Sequence, residues 1–289
     1  VPRPISYVDV FTATPYRGNP VAVVRDAEGL TTDQMQELAR WTNLSETTFL
    51  LPPTEPGADY RVRIFTPAAE LPFAGHPTLG TCHTWLAAGG VPAADHAVQE
   101  CGAGLIRIRR TGTRSFARRP AQAADAGRLA FAAPPLVRSG PVDEPLVADV
   151  VAALGIERSA VVAAEWVDNG PGWLALLLGS AAEVLAIRPD FIDQDVGVVG
   201  PYPPGSPAAF ELRAFFPVGR TLVEDPVTGS LNASVAQWLT GSGLASTPYI
   251  ASQGTVLGRA GRVHVEHDAD GAIWVGGDAV TCIEGQISI

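Results

Sequence analysis

The stretch Arg63-Ile64-Phe65-Thr66-Pro67, followed through Glu70 by Gly75-His76-Pro77-Thr78-Leu79-Gly80-Thr81-Cys82-His83-Thr84-Trp85-Leu86, has a second copy in the chain. That copy is Arg213-Ala214-Phe215-Phe216-Pro217, then Glu224-Asp225, then Thr228-Gly229-Ser230-Leu231-Asn232-Ala233-Ser234-Val235-Ala236-Gln237-Trp238-Leu239. Arg63 to Arg213 is 213 − 63 = 150 and Trp85 to Trp238 is 238 − 85 = 153, so a three-residue difference in the loop separates the two. Each copy reads as a strand ending in proline, a tight polar loop and a Gly-led entry into a helix. Leu79, Cys82, Trp85 and Leu86 repeat at helical spacing, as do Leu231, Val235, Trp238 and Leu239. Small residues fill the positions between, which predicts two helices enclosed on most sides, with the Trp pair as packing.

A buried helix start leaves N–H groups without partners and carries about half a positive charge. Pro77 suits a first turn, and Ser230 or Thr228 can cap the second helix. Two such starts from related halves can form a site for an anion such as a substrate carboxylate. His76 stands at one loop and Asp225 at the other, a combination that points to chemistry at a carbon next to a carboxylate.

Composition bounds the alternatives. The 289 residues are 46% hydrophobic and 17% charged, enough for one large or two medium globular domains. A net charge of −10 argues against nucleic acid and against an anionic membrane as partners. No apolar run reaches the roughly 20 residues of a membrane span and the start lacks signal-peptide form, so a cytoplasmic location is expected. Cys82, Cys101 and Cys282 lack metal-type spacing and read as small buried hydrophobes, with neither a disulfide framework nor a zinc site expected.

Along the chain, residues 5–11 and 21–24 read as strands around the turn formers Tyr16-Arg17-Gly18-Asn19-Pro20. A helix is predicted from Thr31 or Thr32 to about Asn43, with Met35, Leu38, Ala39 and Trp41 on its apolar face. The strand after it begins at a carboxylate, Glu46. A solvated edge residue and a catalytic group are both open there, but small Ser45 and Thr47 leave room for a ligand and the apolar run behind would raise the carboxyl pKa. Residues 102–110 form a strand with one basic face, which joins Arg114, Arg118 and Arg119 in a run read as a solvated sheet face. The alanine-rich 120–127 is the linker candidate. It separates a half at 1–120 from one at 128–289, whose last strand is a candidate to cross back to the first. In the second half, strands are expected at 129–132, 160–167, 173–178, 196–202, 255–257, 262–267, 272–276 and 279–283, with helices at 145–154 and 181–187. Asn169, in the turn Asp168-Asn169-Gly170-Pro171-Gly172, is a candidate to line a cleft, although turn formation alone explains it.

Together, Asp9-Val10-Phe11-Thr12, Gly18-Asn19-Pro20-Val21-Ala22-Val23, Ser45-Glu46-Thr47, Glu70-Leu71-Pro72-Phe73-Ala74-Gly75-His76-Pro77, Asp168-Asn169-Gly170 and Glu224-Asp225-Pro226-Val227-Thr228-Gly229-Ser230 resemble the PhzF-like isomerases of phenazine biosynthesis, in that family's order. The resemblance implies an α/β (α+β) fold like diaminopimelate epimerase: two pseudo-twofold-related halves, each a β-sheet rolled around a central α-helix, with the site in the cleft between them. Two cysteines exchange the proton in that epimerase, and neither loop offers a thiol here. What the resemblance implies instead is a cofactor-free proton shift by Glu46, with His76 and Asp225 beside it and Ser45, Gly75, Gly229 and Ser230 holding a small carboxylate-bearing substrate. It also implies secondary metabolism and a homodimer. Two alternatives stay open: an epimerase or racemase using Glu46 and Asp225 on opposite faces of one carbon, and a non-catalytic protein that binds a small molecule.

Overall fold

Strand pairing repeats itself in the computed structural model, which describes residues 1–111 and 127–289. In the first run β1 (Pro2–Val10) pairs antiparallel with β2 (Asn19–Val24), β2 runs parallel to β3 (Glu46–Leu51), and β3 pairs antiparallel with β4 (Tyr60–Phe65). Strand β4 makes a hairpin with β5 (Glu70–Leu71) and lies parallel to β6 (Ala97–Cys101), which pairs antiparallel with β7 (Gly104–Thr111). Parallel neighbours need a crossover. Helix α1 (Thr32–Thr42) makes the first, and α2 (Gly75–Ala87) the second. Next come β8 (Arg128–Ala132), β9 (Arg138–Pro141) and α3 (Glu144–Leu154).

The same sequence of pairings then recurs. Strand β10 (Val161–Asp168) is antiparallel to β11 (Leu174–Leu178), β11 is parallel to β12 (Val196–Pro201), and β12 is antiparallel to β13 (Phe210–Val218). The hairpin partner is β14 (Thr221–Asp225), the parallel neighbour is β15 (Tyr249–Gln253), and β16 (Gly261–His267) closes the series antiparallel to it. The crossover helices are α4 (Ala181–Ala186) and α5 (Gly229–Gly241), in the places of α1 and α2. After β17 (Ile273–Gly277), β18 (Ala279–Ser288) pairs antiparallel with β1 over nearly its full length.

Two compact units result, Val1–Ala132 with Gly276–Ile289, and Ala133–Val275. The boundaries differ from those expected at 120 and 128. Strand β8 goes with the first unit because it is hydrogen-bonded to β7, and β18 does so because it is bonded to β1. Arg114, Arg118, Arg119 and all of the expected linker except Gly127 lie outside the described residues.

Each unit is built on its second crossover helix. Eleven of the thirteen residues of α2 are buried, as are Gly229, Leu231 to Ala236 and Leu239 of α5. Close approach depends on glycine in both. A Cβ on Gly80 would sit 2.4 Å from Val21 Cγ1 of β2, and one on Gly197 of β12 would sit 2.4 Å from Leu231 Cδ1 of α5. Hydroxyls on α2 pair with the sheet around it: Thr81 donates to Thr48, and Thr78 accepts from Gln99 of β6.

The helices also correct the register of the duplication. Both begin at glycine and run for thirteen residues, and 229 − 75 = 154; Gly89 and Gly243, past their ends, both have positive φ, and 243 − 89 = 154. The counterpart of Trp85 is therefore Leu239, and Trp238 is one position out of step. The difference from the offset of 150 between Arg63 and Arg213 lies in the hairpins, where β13 and β14 are longer than β4 and β5.

Three local expectations change. Trp41 is 75% exposed, because α1 buries Met35, Leu38 and Ala39 and position 41 falls on the other face. Residues 221–225, read as loop, form β14. Thr255–Leu257 is a 3-10 turn held between Gly254 and Gly258, both left-handed, and not a strand.

Candidate active site

The expected site residues fall into two groups, one in each unit. In the first, Glu46 opens β3 and His76 is the second residue of α2, where Ala74 occupies the cap position with no side-chain acceptor to offer the first-turn N–H groups. The strand register puts Glu46 opposite Val21 of β2, and His76 Nε2 stands 3.2 Å from Glu46 Oε2. Their side chains are 5% and 14% exposed. On the ring's other side, Asn19 Nδ2 lies 3.4 Å from His76 Nδ1 and the Pro20 carbonyl accepts a hydrogen bond from the ring. Ser45 is exposed, one residue before β3.

Burial pushes the His76 imidazole down to about 3, only partly opposed by the bond to Pro20. The ring is therefore neutral near pH 7, so its contact with Glu46 is a pair within proton-transfer distance and not an ion pair. Stability should depend on this ring in one direction. An unfolded chain protonates it below about pH 6.5, whereas the folded chain resists protonation until about 3. Between those values the unfolded state binds more protons, so stability falls as the pH falls, by roughly 1.4 kcal/mol per pH unit from this group alone. Urea unfolding of the wild type and of His76→Gln at several pH values across that window is expected to show a slope shallower by about that amount in the variant.

In the second unit Asp225 ends β14 and Thr228 precedes α5. Thr228 does not cap the helix as expected. Its hydroxyl donates to Asp225 Oδ2 at 2.6 Å, and its N–H goes to Gln253 Oε1 at 3.0 Å. Gln253, fully buried on β15, also donates to the Asp225 carbonyl and to Thr228 Oγ1 and accepts from Asn232 Nδ2. Every hydrogen in this cluster has one direction: because Gln253 donates to Thr228, the Thr228 hydroxyl is turned toward the Asp225 carboxylate. Ser230 is fixed from two sides, its carbonyl accepting from Asn169 Nδ2 at 2.9 Å and its Oγ from Trp173 Nε1 at 3.0 Å. Since Trp173 occupies an acceptor position on Oγ, the Ser230 hydroxyl keeps its hydrogen to donate.

Asn19, Thr228, Asn232 and Gln253 were not foreseen as site residues, while Asn169 serves α5 by holding Ser230. The glutamine had a signal. Gln99 and Gln253 differ by 253 − 99 = 154, the offset of the central helices, and each bonds the first turn of its own helix. Two clefts within the units, about 690 Å³ beside Gln237 and Thr240 and about 460 Å³ beside Trp85, contain none of the expected residues. No group of three or more His, Cys, Asp or Glu able to hold a metal occurs among the described residues. Among the same residues, no helix is long and apolar enough to cross a membrane.

Comparison with known proteins places these residues in context. Residues 8–285 match the sequence profile of the PhzC-PhzF family, described as phenazine biosynthesis-like protein. The chain is 34% identical to the trans-2,3-dihydro-3-hydroxyanthranilate isomerase of Pseudomonas aeruginosa, over 96% of this chain and 97% of that one. It is 37% identical to antisense-enhancing sequence 1 of Schizosaccharomyces pombe, over 96% of each. A crystal structure of a Bacillus anthracis PhzF-family protein shares the fold, with a TM-score of 0.82 over the full length of both chains at 20% identity.

Proposed function

Because the chain belongs to the PhzC-PhzF family and is an isomerase, we propose that it moves a proton between two carbons of a small carboxylic acid, with Glu46 as the carrier. The observation that carries this is the Glu46–His76 pair, a carboxyl group held 3.2 Å from a buried neutral imidazole. A carboxylate in that setting can take an acidic C–H proton and, as the acid, return it to another carbon of the same conjugated system. His76 stays uncharged, with Nε2 turned toward the carboxyl. Asp225 accepts a hydrogen from the substrate, and the first-turn N–H groups at Gly75, Gly229 and Ser230, with the Ser230 and Ser45 hydroxyls, bind its carboxylate. A place in secondary metabolism, a cytoplasmic location and a homodimer go with this assignment.

The probe is trans-2,3-dihydro-3-hydroxyanthranilate, the compound named for the Pseudomonas aeruginosa relative. Incubated with the protein in deuterium oxide, it is expected to change its ultraviolet spectrum as the double bond moves and to gain deuterium at the carbon that receives the proton. An epimerase would label and invert one carbon and leave the spectrum alone. Neither change, with this probe or across a panel of dihydroaromatic and amino carboxylic acids, would leave only a binding function.

A further inference from the structure

We propose that Asp9 is a positioning residue for the Glu46–His76 pair: through the Arg17 and Gly18 amides it pins the turn that carries Asn19 and Pro20 against the imidazole. The inference rests on the role given above to that pair, but its test needs no substrate. Asp9 lies near the end of β1 and is 2% exposed. Its Oδ2 accepts from Arg17 N at 2.7 Å and from Gly18 N at 3.0 Å. One buried carboxylate oxygen thus closes the connection from β1 to β2 at the point where it enters β2.

The connection needs such a clamp. Phe11 and Tyr16 both hold left-handed backbone, with φ of 65° and 69°, which side-chain-bearing residues adopt only when the surroundings impose it. Gly18 is pressed so close to β1 that a Cβ would lie 2.1 Å from the Val10 carbonyl oxygen. From there the register runs without slack: Asn19 pairs with Val10 and Pro20 with Asp9 itself, and Asn19 and Pro20 are the two residues that meet the His76 ring from β2. The charged group facing the ring is Glu46 from β3. Nε2 is the ring nitrogen turned toward Glu46, and Asn19 Nδ2 lies against Nδ1. The ring is therefore placed against Glu46 by two β2 residues whose position Asp9 determines.

Release of the turn should let water reach the ring and free it to titrate. The experiment is proton NMR of the five histidines against pH in the full chain, for wild type, Asp9→Ala and Asp9→Asn. The wild-type His76 signal is expected to stay constant from roughly pH 5 to 8. In Asp9→Ala its midpoint should move from about 3 toward the ordinary 6.5. In Asp9→Asn, which keeps an accepting oxygen for both amides, the signal should stay constant. His83, buried on the same helix and also held down by burial, is the control for general loosening, and its titration should be the same in all three. A silent His76 in folded Asp9→Ala, or a shift of His83 alongside that of His76, would overturn the proposal. If Asp9→Ala does not fold, hydrogen exchange of the wild-type Arg17 and Gly18 amides decides: strong protection is expected, and exchange at open-loop rates would refute the clamp. Loss of isomerase activity alone bears on the role of Glu46 and leaves this result standing.

Discussion

Turnover of Glu46→Gln is expected to fall by ~10²- to 10⁴-fold, the usual contribution of a positioned acid/base group. Glutamine keeps the size and one oxygen of the side chain but cannot carry a proton between carbons. Its amide can donate to or accept from His76 Nε2, so the neutral imidazole keeps a partner and folding stability should change little. The loss should appear in kcat and in kcat/KM together, because the missing function belongs to the transition state and not to binding. Substrate binding followed by calorimetry or thermal shift should therefore survive in the variant. Wild-type turnover in Glu46→Gln would remove Glu46 from the mechanism, whatever the family.

The duplicated segment made the fold legible, since a strand, a hairpin and a buried helix start recur with residues that can be aligned by eye. The Glu46–His76 pair was legible for a related reason. A carboxylate heading an apolar strand and a histidine between glycine and proline are both unusual positions. The amide network around Gln253 was not, because glutamine on a strand carries no periodic signal and its value depends on which backbone groups lie opposite. Asp9 escaped notice in the same way. It sits in an alternating strand, and only the coordinates show that its carboxylate reaches eight and nine residues ahead to a turn. The slipped Trp alignment has a simple cause. Matching the most conspicuous residue assumed that the insertion stops before the helix with three residues, whereas the two helix starts are offset by one more.

Arg213 and Arg63, the residues that open the two copies, are expected to differ sharply in their contribution to stability. Both make the same contacts: Nε and Nη2 form a two-pronged bond to the hairpin glutamate, Glu224 or Glu70, and the guanidinium lies 4.8 or 5.0 Å from the ring of the phenylalanine two residues on. Exposure separates them. Side chains of the Arg213–Glu224 pair are 3% and 13% exposed, those of Arg63–Glu70 26% and 38%. Arg213→Ala would strand a carboxylate away from water and should cost ~3–5 kcal/mol, whereas Arg63→Ala leaves Glu70 hydrated and should cost ~1 kcal/mol or less. Arg213 has a second duty that Arg63 lacks. Its Nη1 donates to the carbonyls of Val184 and Ile187, at the end of α4, where the backbone provides no left-handed cap. In the first unit the corresponding helix, α1, ends on left-handed Asn43 and needs no arginine. The double variant Arg213→Met with Glu224→Leu should therefore recover only part of the loss, because it relieves the stranded carboxylate but removes the Arg213 bonds to the Val184 and Ile187 carbonyls, which keep the Ile187 N–H and Arg188 Nη1. Urea unfolding of the single and double variants measures both terms. Equal losses at positions 63 and 213 would mean that burial does not govern the strength of this repeated ion pair.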